Sequence, residues 1–173
     1  MKNKIIIQTD RLCLRKVVLN DSKYLVNLFS DPLAMTFFPK VLDLKGTINW
    51  INKVKNCYKN DGFGFYVCEK RDNLEIIGYC GLLLQKKVGK NNEIEIGYGL
   101  IRRYWHQGFA TEAAKGCMKY GINTFNIKRF ISLIRPKNVA SINVAKRVGM
   151  KWEKNVIRWN HIHCVYAINI DKT

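Results

Sequence analysis

The sequence has little of what would mark several common protein classes. Its apolar stretches, such as Ile5 to Ile7 and Leu82 to Leu84, fall far short of the roughly 20 residues that a membrane-spanning helix requires. Three prolines and 12 glycines in 173 residues exclude a collagen-like or repeat-rich chain. No two of the six cysteines lie within four residues of each other. There is thus no CxxC pair, and the cysteines read as reduced thiols, five of them beside an apolar neighbour. A lone His161-x-His163 is a poor zinc signal, so no metal is expected. Met1-Lys2-Asn3-Lys4 leads into only three isoleucines, too short for a secretory signal, and a cytoplasmic location is expected.

Acidic residues are scarce. Thirteen Asp plus Glu stand against 30 Lys plus Arg, giving a net charge of +17. A field of that sign attracts nucleic acid, acidic membrane or phosphate-bearing small molecules. The lysines are spread along the whole chain, however, and AT-rich coding produces a Lys-, Asn- and Ile-rich composition without any polyanionic partner. Charge alone does not assign the function.

What is present is the material of one globule. A 47% hydrophobic content supplies a core, and the length suits a single domain spanning 1–173. Leu12 and Leu14 alternate with arginines as a strand does. Asn20-Asp21 offers a cap for a helix through Leu25, Leu28 and Phe29, and Asp31-Pro32 starts a short helical turn that Pro39 closes. Thr47, Trp50, Ile51, Val54, Cys57 and Tyr58 form a helical stripe that ends at Asp61-Gly62. Strand-like runs follow at 63–69, 75–85 and 93–100, separated by Asn-rich turns, which predicts an antiparallel meander. A helix with Ala110, Ala113, Ala114, Cys117, Met118 and Gly121 on one face comes next. Arg129 to Ile134 reads as a strand, and Asn138 to Val148 as a helix that Asn138 caps and Gly149 stops. Two strands, 151–158 and 161–170, pair across a Trp-Asn turn. The fold class is α+β: a mixed sheet with helices on its faces.

The informative stretch runs from Glu93 to Ala113. A strand delivers the chain through a loop containing Gly108 to a helix N-terminus. First-turn amides have no helical partner and lie at the positive end of the helix dipole. Gly108 and Ala110 are small enough for a diphosphate to approach the backbone closely, and Arg102, Arg103 and His106 supply donors around the same spot. Trp105 and Phe109 read as packing. In the strand, Glu93, Glu95, Gly97 and Gly99 share one face, opposite Ile94, Ile96, Tyr98 and Leu100.

The segment Tyr104-Trp-His-Gln-Gly108-Phe-Ala110-Thr-Glu-Ala113 resembles the cofactor loop of the GNAT superfamily of N-acetyltransferases. It resembles in particular the form found in the ribosomal-protein alanine and serine acetyltransferases. Thr9-Asp10-Arg11-Leu12-Cys13-Leu14-Arg15, Ser30-Asp31-Pro32 with Phe37-Phe38-Pro39, and Asn138-Val-Ala-Ser141 with Lys146-Arg-Val-Gly149-Met150 resemble three further landmarks of that subgroup, in order. The likeness covers roughly residues 9 to 168. It implies a GNAT fold, with a mostly antiparallel mixed sheet whose Glu93 and Arg129 strands splay apart and with helices on both faces.

It also implies acetyl-CoA as cosubstrate. Its arm would lie along the backbone from Gly97 through Tyr98, Gly99 and Leu100. The amides of Gln107, Gly108, Phe109, Ala110 and Thr111 would hold the diphosphate, Arg103 and His106 would stand near it, and Asn138 would touch the arm. Such enzymes let the acceptor amine attack the thioester directly, in a ternary complex. They therefore need a base, an oxyanion stabiliser and an acid for the thiolate. Glu95 matches the glutamate of the subgroup's Glu-Ile-Gly-Tyr and is the expected base, with Glu93 as the alternative. Many relatives carry a Tyr seven residues after the helix Asn. Here that position is Ala145, so Ser141 becomes the candidate acid, with first-turn capping support as its other reading. The expected acceptor is the α-amine of a protein or peptide N-terminus, with possible ribosome association and no membrane. A small-molecule amine acetyltransferase, a non-catalytic acyl-CoA-binding relative and an RNA- or ribosome-binding module are the alternatives.

Overall fold

The computed structural model describes residues 4–170. They form one eight-stranded sheet in the order β1-β2-β3-β4-β5-β6-β8-β7. Chain order gives β1 (Ile5–Gln8), β2 (Leu12–Lys16), α1 (Ser22–Phe29), α2 (Leu44–Asn60), β3 (Phe65–Lys70), β4 (Ile76–Val88) and β5 (Asn91–Leu100). It continues with α3 (Phe109–Phe125), β6 (Arg129–Ile134), α4 (Val139–Val148), β7 (Lys151–Arg158) and β8 (His161–Asn169). Every pairing is antiparallel except that of β5 with β6.

Most elements form where periodicity and caps place them. Asp43 caps α2 by accepting the Gly46 amide at 2.7 Å, and Asn138 caps α4 by accepting the Ser141 amide at 3.1 Å. Trp159 and Asn160 both take positive φ, 50° and 59°, which lets a two-residue turn follow the twist of β7 and β8. The small face of α3 lets it lie close on the sheet. A Cβ at Gly121 would stand 2.8 Å from the Phe130 ring, closer than packed atoms approach, so a side chain there would push the helix outward.

One strand joins those read from the sequence, and one cap is corrected. Ile5–Gln8 is a strand that pairs with β2. The Asp21 carboxylate does not cap α1; it takes both Nη atoms of Arg15 at 2.8 Å and the Val18 amide at 2.8 Å. A buried guanidinium needs a fixed partner more than the helix needs a cap. Residues 32–37 form the expected short helical turn, with the Met35 amide donating to Asp31 O at 3.0 Å and the Asp31 side chain accepting the Leu33 amide at 3.0 Å. That loop carries Phe37 and Phe38 toward the site described next.

Helices α3 and α4 pack together on one face of the sheet, and α1 and α2 on the other. Ile96, Leu82, Cys117, Phe130 and Ala145 belong to the larger core beneath α3 and α4. Leu25, Phe29, Ile51 and Tyr79 belong to the smaller one beneath α1 and α2. The strand between the two cores, β5, is thus clamped on both faces.

Candidate active site

Strands β5 and β6 meet in ladder register only at Glu95 and Ile131. Past that point, side chains take over the hydrogen bonds. The Ser132 hydroxyl donates to Ile96 O at 2.8 Å, and the Leu133 amide donates to Glu95 Oε1 at 3.3 Å. The strands then diverge, because β6 leads through Arg135-Pro136 to α4 while β5 stays paired with β4. The gap opens into a cavity of about 450 Å³, a size ordinary for a ligand site. Glu95, Gly97 and Tyr98 line it from β5, and Ser132, Leu133, Asn138 and Ser141 from the β6–α4 side.

Glu95 sits at the point of divergence. Gln85 Nε2 donates to its Oε2 at 2.5 Å, and Gln85 Oε1 in turn accepts Arg158 Nη2 at 3.2 Å. Burial raises the carboxyl pKa to about 7 against the opposing pull of these donors and of Arg158. A carboxyl poised there takes a proton near neutral pH, as a general base must. Glu93 is placed differently. It is 6% exposed and accepts Arg129 Nε at 3.0 Å, with Glu153 on the same guanidinium at 2.8 Å. It does not line the cavity, and its carboxylate is committed to a structural ion pair.

On the other wall, the Tyr98 hydroxyl donates to Ser141 O at 3.2 Å, and burial raises its pKa. Asn138 uses its oxygen as the cap, which leaves its amide hydrogens free to face the cavity. Ala145 is 2% exposed, in the core beneath α4.

The cofactor loop is built around one glycine, and its two arginines each have an acidic partner at the surface. Gly108 takes φ +80° at the N-cap of α3, a backbone that glycine adopts without strain. A Cβ there would meet only Arg11 Nη2, at 3.4 Å, so the space over the loop is open. The first helical bond runs from the Glu112 amide to Gly108 O at 3.1 Å. The amides of Phe109, Ala110 and Thr111 therefore precede the ladder. Arg103 is held by Glu75 and Arg102 by Asp31. The Leu100 carbonyl accepts the Trp105 indole N–H at 2.8 Å, so Trp105 anchors the loop to the end of β5. Gln107 Nε2 donates to Arg103 O at 2.8 Å, while His106 is exposed with φ 60°.

Residues 11–151 match the Acetyltransferase (GNAT) domain family. The chain belongs to the GNAT acetyltransferases. It is 35% identical over 167 residues to the uncharacterized protein YkkB of Bacillus subtilis, covering 96% of each chain. A GNAT-family acetyltransferase of Bacillus anthracis superposes with a TM-score of 0.78 at 26% identity, over 94% of this chain and 97% of that one. RimL, a ribosomal L7/L12 α-N-protein acetyltransferase solved in complex with coenzyme A, has the same fold. It gives a TM-score of 0.78 at 20% identity, over 97% of this chain and 99% of that one.

This GNAT enzyme is an acetyl-CoA-dependent N-acetyltransferase. Its loop and cleft fit that cosubstrate: an open αL glycine, three first-turn amides without helical partners, and a strand edge released by the splay. When bound, acetyl-CoA supplies the thioester carbonyl. Among the described residues no cluster of three or more His, Cys, Asp or Glu could hold a metal, although His161 and His163 both line the cavity.

Several residues of this acetyltransferase escaped sequence reasoning. Arg11 braces the loop: its Nη1 donates to Gln107 O at 3.0 Å, its Nε pairs with Glu112 at 2.6 Å, and its guanidinium lies 4.3 Å from the centre of the Phe109 ring. Thr9 donates to the other oxygen of Glu112 at 2.6 Å. The Thr9-Asp10-Arg11 and Thr111-Glu112 landmarks are two halves of one clamp, but no spacing joins residues a hundred positions apart. Gln85 and Arg158 lay in runs that read only as strand. Gly97 and Gly99 have a packing reason invisible in one strand. Cβ atoms there would lie 3.0 Å from the Phe65 ring and 2.8 Å from the Tyr79 ring, so their absence lets both aromatics rest on β5.

Proposed function

We propose that this enzyme acetylates the α-amine of a protein or peptide N-terminus, with Glu95 as the base. The observation that carries the reading is the Glu95 carboxyl, held at about pKa 7 where the sheet opens. An incoming ammonium gives its proton to Glu95, directly or through one water, and the neutral amine then faces the splay. The amides of Gln107 to Thr111 hold the diphosphate, and the free edge of β5 near Gly97 and Tyr98 takes the arm, with the Asn138 amide beside it. A hydroxyl from the α4 wall, Ser141 or Tyr98, returns a proton to the departing thiolate. Arg103, paired with Glu75 at the exposed surface, can exchange that partner for a phosphate, and Glu93, paired with Arg129 outside the cavity lining, is the less favoured base.

The acceptor class follows from charge. Among the described residues, Glu95 is the only carboxylate lining the cavity. Polyamines and aminoglycosides are multiply cationic and find no second anion there, whereas a peptide terminus brings one ammonium. The fold shared with RimL, whose own substrate is a ribosomal protein N-terminus by its name, supports the same direction. Thiol release from acetyl-CoA, read against N-terminal peptides, spermidine and kanamycin, tests it. Peptides are expected to lead by at least ~10-fold in kcat/KM, a bias of about 1.4 kcal/mol. Efficient acetylation of a polyamine with no activity on any peptide ends the reading. Association with ribosomes, if the net charge serves it, should weaken steeply between about 50 and 200 mM salt.

A further inference from the structure

Where α2, β3, β4 and the 31–39 loop line the cavity, the wall is mainly aromatic and forms a box. Trp50 and Phe65 stack at 5.8 Å with 12° between planes, and Tyr79 closes on both at 4.9 and 4.8 Å. Phe29 backs Trp50 at 4.8 Å, so the wall is supported from the core side. Phe37 and Phe38 reach in from the turn loop, and Trp159 stands at the opposite lip, 56% exposed. The two glycines of β5 exist to seat this wall, since side chains there would collide with Phe65 and Tyr79.

The polar groups around the box are cationic or neutral. Arg135, His161 and His163 line it, and Arg158 stands behind Gln85. Arg135 forms no ion pair among the described residues. Apolar rings gain from removing apolar surface from water. Trp50 and Phe65 turn their faces to each other, which leaves less open ring face for a cation–π contact, and a second ammonium would meet Arg135 with no carboxylate beyond Glu95.

We infer that the acceptor is a primary amine carrying an aromatic or large apolar group and no second positive charge. The group packs on Trp50, Phe65 and Tyr79 while the amine meets Glu95. An acceptor carboxylate would find Arg135. The inference rests on the amine-acetylation reading above, and applied to a peptide it specifies the first residue: Phe or Leu over Ala or Ser, with Lys excluded.

The test measures kcat/KM for short peptides that differ only in their first residue, Phe, Leu, Ala, Ser or Lys, together with tyramine and spermidine. The Phe peptide is expected to exceed the Ala peptide by at least ~10-fold, the usual discrimination of an apolar pocket. Trp50→Ala should compress that ratio to within about threefold while acetyl-CoA still raises the Tm. If Trp50→Ala fails to fold, Phe37→Ala on the loop makes the same comparison. Tyramine accepted with every peptide refused would keep the box and overturn the peptide reading. Ala, Ser or Lys peptides matching Phe, or spermidine matching tyramine, would overturn the inference whatever the fate of that reading. Refusal of both tyramine and the Phe peptide would overturn the inference, and refusal of every peptide in the panel would overturn the peptide reading with it.

Discussion

Replacing Glu95 by Gln removes a titration that the fold makes unfavourable, and the consequence can be sized. Burial lifts this carboxyl from 4.5 to about 7. Below about pH 4.5 it is protonated in both folded and unfolded chains and costs nothing. As pH rises to about 7 the unfolded chain ionises first, so the native state is progressively penalised. Above about pH 8 the penalty is complete, about 3 kcal/mol at ~1.4 kcal/mol per pH unit. Water in the cavity screens the charge and makes that figure an upper value. Gln is neutral at every pH and resembles the protonated acid, including its awkward fit against the donors of Gln85 and Leu133.

Glu95→Gln should therefore match the wild type in stability near pH 4 and exceed it at pH 8, by up to about 6–12 °C in Tm for a chain of this size. The difference between the two curves isolates Glu95, because other titrating groups cancel. Activity should move the opposite way. Wild-type kcat/KM should climb with pH and level off above about 7, as the base loses its proton. The variant should lose that limb and fall ~10²–10⁴-fold, with partial recovery at high pH, where the amine arrives deprotonated. Stability curves that run parallel from pH 4 to 9 would refute the shifted carboxyl. Near wild-type turnover at neutral pH would refute its role.

Gly108→Asp puts negative charge at the first-turn amides and should abolish the gain in Tm that acetyl-CoA gives the wild type. Retention of the full shift would place the cradle elsewhere. Tyr98→Phe should lower kcat at least ~10-fold with the KM for acetyl-CoA little changed, if its hydroxyl serves the thiolate. Ser141→Ala tests the other hydroxyl, and a loss below about threefold would return Ser141 to a capping position. Glu93→Gln should cost about 1–3 kcal/mol in denaturant unfolding by leaving Arg129 short of a partner, yet keep kcat within a few-fold. A large kcat loss at unchanged stability would reinstate Glu93 as base.

Legibility in the sequence followed distance along the chain. The α4 cap and stop, the β3–β5 meander and the αL glycine of the loop are all set by neighbours within a few residues. Period, cap chemistry and turn chemistry reported them. Glu95 could be singled out, but its separation from Glu93 could not. Both occupy one face of β5, and only Arg129, 36 positions away, removes one from service. The Arg11–Glu112 clamp, the Gln85–Arg158 relay and the aromatic box each join three or more separate elements. Ile5–Gln8 was missed because four residues carry too little period to distinguish a strand from a tail. Asp21 was misassigned because its competing partner, Arg15, acts across a turn.

Long-range charge and the local pocket should discriminate acceptors by separable routes. The field of a chain at +17 slows the approach of polycations, and its reach shrinks from ~10 Å at 0.1 M to ~3 Å at 1 M salt. The aromatic box acts at contact, where no mobile ion enters between the rings and the amine. Raising salt should thus narrow the gap between tyramine and spermidine by whatever share the field supplies, and leave the gap between Phe and Ala peptides unchanged. Both peptides carry the same charge, so only contact can tell them apart. A Phe-to-Ala ratio that collapses with salt would refute apolar contact at the Trp50 wall as the source of the preference. A spermidine penalty that persists undiminished at about 1 M would assign the rejection to the missing second carboxylate alone.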